Sequence, residues 1–214
     1  MIRFPFALAL ICLSNTLSGS AFGGDDAHAL LSRLERKYDA MRDATLSFRQ
    51  DVRYGVTKAE QSFQGKLLIK KKNRYRIELE DQTIVTNGRV VWSYTKSNQQ
   101  VIVDNYKDDP RSFTPDKVLV NLPDRYTATV LGKDRLQNRP VVVLKLIPKD
   151  RKSRFSWMKL WVDENEELMR QVQILDMSEN LTTYVIDTLR VNSGLADSQF
   201  EYQAPPGVEV IDLR

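Results

Sequence analysis

Cationic side chains are concentrated in residues 66–76, the stretch with the most conspicuous chemistry in the sequence. Six of its eleven positions carry a positive charge: Lys66, Lys70, Lys71, Lys72, Arg74 and Arg76. Such a patch could bind the phosphates of a nucleic acid or an anionic membrane surface. Apolar residues alternate with these charges, however, as in strands with one apolar face and one charged face. A solvated outer face and a turn are the simpler interpretation, and we expect the apolar face to be the informative one.

Groups that could catalyse a reaction or hold a metal are few. His28 is the only histidine and Cys12 the only cysteine of the chain, so neither a metal site nor a nucleophile–base pair is indicated. The carboxylates at 108–109 and 164–167 lie among other charges, with little apolar surrounding to raise a pKa. No nucleotide-binding, metalloprotease or hydrolase motif occurs. The sequence therefore predicts a protein that is not an enzyme, with no catalytic residue, no metal and no cofactor.

The N-terminal residues are typical of a secretory signal peptide. One positive charge precedes an apolar run at 4–13, and small residues follow it. The run is too short to cross a bilayer, and Ile11 before Cys12 argues against a lipidation signal. We expect a signal peptide at 1–23, a single domain at 24–214 and export to the periplasm. The full chain has a formal charge of +4, and removal of the signal peptide with Arg3 leaves 31 cationic and 28 anionic side chains, or +3. An exported protein has no evident nucleic-acid partner.

Two helices are expected in the exported part, which is large enough for one hydrophobic core. The first, over residues 25–43, follows from apolar residues at helical spacing. Those residues are Leu30, Leu31, Leu34, Tyr38 and Met41. The second, over residues 115–122, begins at Thr114-Pro115, a favourable N-cap followed by proline at the first helical position.

Elsewhere the apolar residues recur every second position, which predicts about eleven β-strands. They are expected at 45–54, 62–70, 74–80, 83–86, 89–95, 99–105, 125–131, 139–148, 154–163, 168–176 and 181–191. Asn87-Gly88 is a strong hairpin signal between two of them. An antiparallel meander of this length must curl into a barrel or a partial barrel.

Aromatic residues in these strands suggest that the curled sheet encloses apolar space. Those expected on or near one face are Phe48, Tyr75, Trp92, Tyr94, Trp157 and Trp161. Aromatic side chains in strands also commonly fill an ordinary core. The residues alone leave both alternatives open.

The order and spacing of several short motifs resemble the LolA family, the periplasmic carriers that take lipoproteins to the outer membrane. The motifs are Phe48-x-Gln50, Gly65-x-Leu67, Asn73-x-Tyr75-Arg76, Asn87-Gly88-x-x-Val91-Trp92-x-Tyr94 and Phe200-x-x-x-Ala204-Pro205-Pro206-Gly207-Val208. The resemblance implies a mainly β fold with some α structure. It is an open antiparallel half-barrel of about eleven strands, whose apolar concave face is covered by lid helices.

The resemblance also implies a function. The protein would bind lipoprotein acyl chains in its cavity, receive them as a monomer from an inner-membrane ABC-type complex, and deliver them to an outer-membrane receptor. The expected cavity residues are Leu31, Leu34, Phe48, Leu67, Ile69, Tyr75, Ile77, Leu79, Trp92, Tyr94, Trp157 and Trp161. The family carries an arginine that latches the lid; Lys71 stands at that position here and lacks the planar fork of donors. A periplasmic sensor of lipid or lipoprotein on the same fold is the alternative.

Overall fold

The computed structural model of the protein describes residues 24–107 and 122–214. Its helical elements are α1 (Gly24–Ala40), the single turn α2 (Leu122–Arg125) and a 3-10 turn over Asp197–Phe200. Its strands are β1 (Asp43–Arg53), β2 (Glu60–Lys70), β3 (Arg74–Leu79), β4 (Gln82–Asn87), β5 (Val90–Thr95), β6 (Gln100–Asn105), β7 (Tyr126–Leu136), β8 (Arg139–Pro148), β9 (Phe155–Asp163), β10 (Met169–Asp176), β11 (Leu181–Val191) and β12 (Glu209–Asp212). Across these two ranges, no helix is both long enough and apolar enough to cross a membrane.

All twelve strands belong to one open sheet. Its spatial order is β12-β6-β5-β4-β3-β2-β1-β11-β10-β9-β8-β7, and β12 and β7 form its two edges. Within β1–β6 and within β7–β11 each strand pairs antiparallel with the next, and β1 pairs antiparallel with β11, whereas β12 pairs parallel to β6. The predicted fold class, a mainly β protein with an open sheet and few helices, is confirmed.

Eleven of the strands correspond to the eleven predicted from the sequence. The clearest difference in length is β7, which continues to Leu136 rather than ending near residue 131. β12 is an addition, with four residues. The predicted signal peptide at 1–23 lies outside the described residues, and so does nearly all of the predicted helix at 115–122.

The apolar stripe of α1 packs on the concave face of the sheet, across the half formed by β7–β10. The core under α1 contains Ala27, Leu30, Leu31, Leu34, Leu122, Tyr126, Val142, Leu144, Leu146, Met158, Leu160, Val162, Val172 and Ile174. A helix with apolar residues three and four positions apart buries one side in this way. α1 therefore covers one half of the concave face, and the second predicted lid helix, at 115–122, lies almost entirely outside the described residues.

Turn geometry fixes which residues of β2–β5 share a face. Between β2 and β3, Lys72 and Asn73 have positive φ angles of 70° and 57°. The turn from β4 to β5 packs against this one: Gly88 has φ +86°, and a Cβ there would lie 2.3 Å from the Lys72 carbonyl oxygen. Only glycine fits such a backbone at so close an approach. The two turns hold Leu67, Ile77 and Ile84 side by side in register.

The convex face of β3–β6 is covered by the C-terminal segment, residues 193–203. Phe200 is fully buried there, and the 3-10 turn contacts β3 and β4. The ammonium of Lys70 and the guanidinium of Arg74 each lie 2.6 Å from the Asp197 carboxylate. This part of the sheet therefore has apolar side chains on both faces.

The register of β5 corrects the predicted positions of Trp92 and Tyr94. Trp92 stands opposite Val85, and Tyr94 opposite Thr83. Neighbouring residues of a strand point to opposite faces, so both aromatic rings lie on the convex face, opposite to Ile84. The Tyr94 ring is 5.9 Å from that of Tyr202 in the C-terminal segment.

The two β9 tryptophans also lie on the convex face. Their neighbour Leu160 belongs to the core under α1, so Trp157 and Trp161 point the other way. The ammonium of Lys159 lies 5.1 Å from the centroid of the Trp157 ring, as a cation over an aromatic face. These tryptophans do not face the cavity predicted from the sequence.

Candidate functional site

A cavity of about 430 Å³ lies on the concave face, next to the C-terminal end of α1. Pockets that bind small molecules commonly enclose about 300–1,000 Å³. The walls come from β1, β2, β3, β4, β10 and β11, together with the α1–β1 connection and the β2–β3 turn. The cavity thus occupies the half of the concave face that α1 does not fill.

The cavity floor is apolar because the strands alternate. Every second residue of the central strands points into it. These side chains are Ala44, Leu46 and Phe48 of β1, Leu67 and Ile69 of β2, Ile77 and Leu79 of β3, Ile84 of β4, and Ile186 and Leu189 of β11. Most of these aliphatic side chains, including Leu67, Ile77 and Ile84, are only half-buried. A folded protein normally covers such a group of side chains.

Phe48 forms a fixed aromatic part of this floor. A Cβ at Gly65 would lie 2.6 Å from the Phe48 ring and 2.7 Å from Leu79, so the glycine leaves room for both. The Phe48 ring is tilted against Tyr184, with ring centroids 6.1 Å apart. Phe48 is therefore held in place on the concave face by Gly65, Leu79 and Tyr184.

Two tyrosines, Tyr38 and Tyr184, line the cavity where it meets the core. Burial raises the pKa of Tyr38 to about 12, and its hydroxyl accepts a hydrogen bond from the Met169 N–H at 3.3 Å. Burial also raises the pKa of Tyr184. Both phenols remain neutral at ordinary pH and present apolar rings to the cavity.

The charged residues that line the cavity are confined to one end. They are Asp39, Arg42 and Asp43 before and at the start of β1, and Lys70, Lys71 and Lys72 at the end of β2. The two segments touch: the Lys71 N–H donates to the Arg42 carbonyl at 3.3 Å. The cavity therefore has a polar end and an apolar floor.

Asp43 ties this end to the C-terminal segment. One carboxylate oxygen accepts hydrogen bonds from the N–H (2.7 Å) and hydroxyl (3.2 Å) of Ser193. The other accepts from the N–H groups of Gly194 at 3.1 Å and Leu195 at 3.3 Å. Four donors satisfy the charge of a side chain that is only 5% exposed, so Asp43 acts as a structural clamp.

Near the cavity, the buried side chains of Asp163 and Arg170 form an ion pair at the β9–β10 turn. The pKa of the Asp163 carboxyl is lower than its usual value. Burial alone would raise it, but hydrogen bonds from the N–H groups of Glu166 and Asn165 and the charge of Arg170 have the larger combined effect. Arg170 also pairs with Glu166. Arg33 of α1 reaches the same turn, 2.9 Å from Glu167, and fixes the helix over the core.

The predicted cavity residues divide into three groups. Phe48, Leu67, Ile69, Ile77, Leu79 and the latch position Lys71 line the cavity. Leu31 and Leu34 are fully buried in the core under α1, and Tyr75 is buried beside the floor rather than lining it. Trp92, Tyr94, Trp157 and Trp161 lie on the convex face.

Several lining residues were missed from the sequence. They include Met41, Leu46, Gln50, Ile84, Met169, Val172, Tyr184, Ile186 and Leu189. Leu46 shares the alternation of Phe48, and this signal alone could have placed it. The β11 residues could not be found in this way, because a register irregularity beside Phe48 changes their alternation.

Comparisons with known proteins agree with this architecture. The family described as "Outer membrane lipoprotein carrier protein LolA" matches residues 39–203. An outer-membrane lipoprotein carrier protein of Glaesserella parasuis is 28% identical over 206 residues, which cover 93% of this chain and 91% of the relative. One of the same name from Actinobacillus pleuropneumoniae is 26% identical over 93% of this chain and 90% of its own.

A solved structure shares the fold. It is an uncharacterized conserved protein from Thermus thermophilus, with a TM-score of 0.57 and 13% identity over 86% of this chain and 97% of the other. At this identity the likeness concerns the fold alone.

Proposed function

Because this chain belongs to the LolA family of outer membrane lipoprotein carrier proteins, we propose that it carries lipoproteins by holding their acyl chains in the concave cavity. The carrier takes its cargo from the inner membrane and delivers it to the outer membrane. Binding is non-covalent, and the protein performs no catalysis.

One observation carries this proposal: a continuous floor of half-buried aliphatic side chains faces an open cavity. Each methylene group of an acyl chain gains about 0.8 kcal/mol when it leaves water. A lipoprotein with two or three such chains does not leave a membrane unless they are covered. The floor formed by residues such as Leu67, Ile77 and Ile84 can provide that cover.

The setting of this function is the periplasm, which the chain reaches through the signal peptide at 1–23. An ABC-type complex in the inner membrane supplies the cargo and the energy, and a receptor at the outer membrane accepts the cargo. Release requires a cover that can open, and Lys71 stands at the latch position of that cover. Among the described residues the Lys71 ammonium has no ion-pair partner. A latch at this position therefore lacks the planar set of hydrogen-bond donors that an arginine guanidinium would supply.

The test is a competition between acylated and unacylated peptides. A fluorescent acyl probe is bound to the purified protein, and a lipopeptide with a diacylglyceryl-cysteine is added. We expect the lipopeptide to displace the probe and the same peptide without acyl chains to leave it bound. If the probe does not bind, or both peptides displace it equally, the carrier proposal is wrong.

A further inference from the structure

Three cationic side chains lie at the polar end of the cavity, and only Lys71, at the latch position, has a role in the proposed function. Arg42, Lys71 and Lys72 all line the cavity and all are exposed. Within residues 24–107 and 122–214, none of the three forms an ion pair. Their positions are nevertheless set by backbone structure, through the Lys71–Arg42 hydrogen bond and the tight turn at Lys72.

The carboxylates close to these cations do not cancel their charge. Asp43 is already satisfied by four donors from the C-terminal segment. Lys70, the fourth cation of this end, is paired with Asp197 and also donates to the Leu195 carbonyl at 2.6 Å. Asp39 is the one remaining carboxylate among the described lining residues. The polar end therefore carries three available cations against one anion.

This charge lies next to an apolar floor. The lining residues between the two ends belong to strands whose inward side chains are aliphatic or aromatic, from Ile69 at the charged end to Leu79 farther along. A molecule that fits both parts has an apolar chain and a negatively charged head. A neutral amphiphile would fill the floor and leave the cations without a partner.

We propose that the cavity, besides lipoprotein acyl chains, takes free acyl lipids and prefers those with an anionic headgroup, which Arg42, Lys71 and Lys72 hold at the polar end. The headgroup chemistry is a carboxylate or a phosphate oxygen, as in a free fatty acid or a phospholipid with a negative head. Lysine ammonium groups bind either as mobile point charges with three donors each. This inference rests on the proposed function, because it takes the floor to be occupied by an acyl chain.

The size of the preference follows from the exposure of the cations. Exposed ion pairs are individually weak, so three cations together favour an anionic head by about tenfold over a neutral head of equal chain length. Screening by salt should reduce this ratio, because the charges are in contact with solvent.

The experiment compares chains that differ only in their head. Displacement of the fluorescent acyl probe is measured at low salt, below the micelle concentration, with a fatty acid, its methyl ester, a lysophosphatidic acid and a lysophosphatidylcholine of equal chain length. We expect at least one anionic compound to bind about tenfold more tightly than its neutral counterpart. A preference in the carboxylate pair indicates a fatty acid, and one in the phosphate pair indicates a phospholipid.

Variants then test the three residues. In the triple variant Arg42→Gln, Lys71→Gln, Lys72→Gln, the ratio of anionic to neutral affinity should fall to about one. The matched control removes three cations from loops at the far end of the strands, by changing Lys58, Lys96 and Lys152 to glutamine, and should keep the ratio.

The outcomes separate this inference from the function on which it rests. Equal binding of charged and neutral chains overturns the inference and leaves the carrier function in place. An unchanged ratio in the triple variant, or a ratio lost equally in the control, also overturns it. If the protein binds neither the probe nor any of the acyl compounds, the carrier function fails as well.

Discussion

Replacement of Ile77 by glutamate should separate acyl binding from folding. Ile77 lies in the middle of β3, with Leu67 and Ile84 as its cross-strand neighbours, and it faces the cavity. Its side chain is only half-buried. A carboxylate at this position can point into the open cavity and remain hydrated, so the fold should survive.

The expected loss of stability is small. Full burial of an isoleucine contributes about 1.5–3 kcal/mol, and half of that range is about 1 kcal/mol. Domains typically have about 5–15 kcal/mol of stability, so Ile77→Glu should stay folded. Acyl binding, by contrast, would bury the unpaired charge against a hydrocarbon chain at a cost of several kcal/mol. We expect an affinity loss of about 100-fold or more.

Two control variants make the comparison specific. Leu160 is fully buried under α1, so Leu160→Glu has no cavity for its charge and should unfold the domain. Thr129 is exposed on the edge strand β7, and Thr129→Glu should change neither stability nor binding. The conservative variant Ile77→Gln should fold and bind with an intermediate affinity.

The assay combines a thermal melt followed by circular dichroism with titration of the fluorescent acyl probe. An Ile77→Glu protein that unfolds would mean that this face is an ordinary packed core. A folded Ile77→Glu protein with full probe affinity would place the acyl site elsewhere. Either result would refute the reasoning, whatever the behaviour of Leu160→Glu.

Three further predictions concern the framework around the cavity. Asp43→Ala should lose about 1–3 kcal/mol in urea unfolding, because it removes the hydrogen bonds by which a buried carboxylate holds residues 193–195. A loss below about 0.5 kcal/mol would contradict the clamp. The pKa of Asp163 is lowered in the folded protein. The stabilisation that its carboxylate provides is therefore complete above about pH 4 and is lost as the pH falls through the pKa of the folded state. The melting temperature of Asp163→Asn should consequently fall less steeply in acid than that of the unmodified protein. Burial raises the pKa of Tyr38 to about 12, so folding favours the neutral phenol. The stability that this group supports is complete below about pH 10 and decreases as the pH rises to about 12. Between these pH values the melting temperature of Tyr38→Phe should change less than that of the unmodified protein.

The strands were predictable because the sequence alternates almost without interruption. The helix α1 could be found as well, since its apolar residues recur at helical spacing and a polar side separates them. β12 was not found, because its four residues, Glu209–Asp212, pair parallel to β6 and carry too little alternation of their own. Short strands of this kind depend on a tertiary partner rather than on local pattern.

The cavity residues were harder to predict, and the reason is physical. Alternation divides a strand into two sets but does not say which set faces inward. In β5 both sets meet apolar neighbours, because the C-terminal segment covers the convex side near Trp92. In β9 the set with Leu160 fills the core while Trp161 takes the outer face. Where both faces of a strand are apolar, aromatic residues do not indicate which face is concave. The face is then decided only by the pairing of a residue with one on the neighbouring strand that is known to point inward.

The position of α1 explains why its packed core stops short of the cavity among the described residues. A helix of 17 residues is about 26 Å long, and its apolar stripe ends at Tyr38, beside the cavity. The chain then enters β1, and Asp43 draws the C-terminal segment toward the convex face rather than the concave one. Among the described residues, nothing fills the floor beyond that point. A half-covered apolar floor lacks part of the hydrophobic free energy of full burial, and a bound acyl chain can supply it. A ligand at 100 times its dissociation constant adds about 2.7 kcal/mol to the free energy of unfolding. On the proposed function, burial of this floor by an acyl chain provides the driving force for loading, which is the property that a carrier requires.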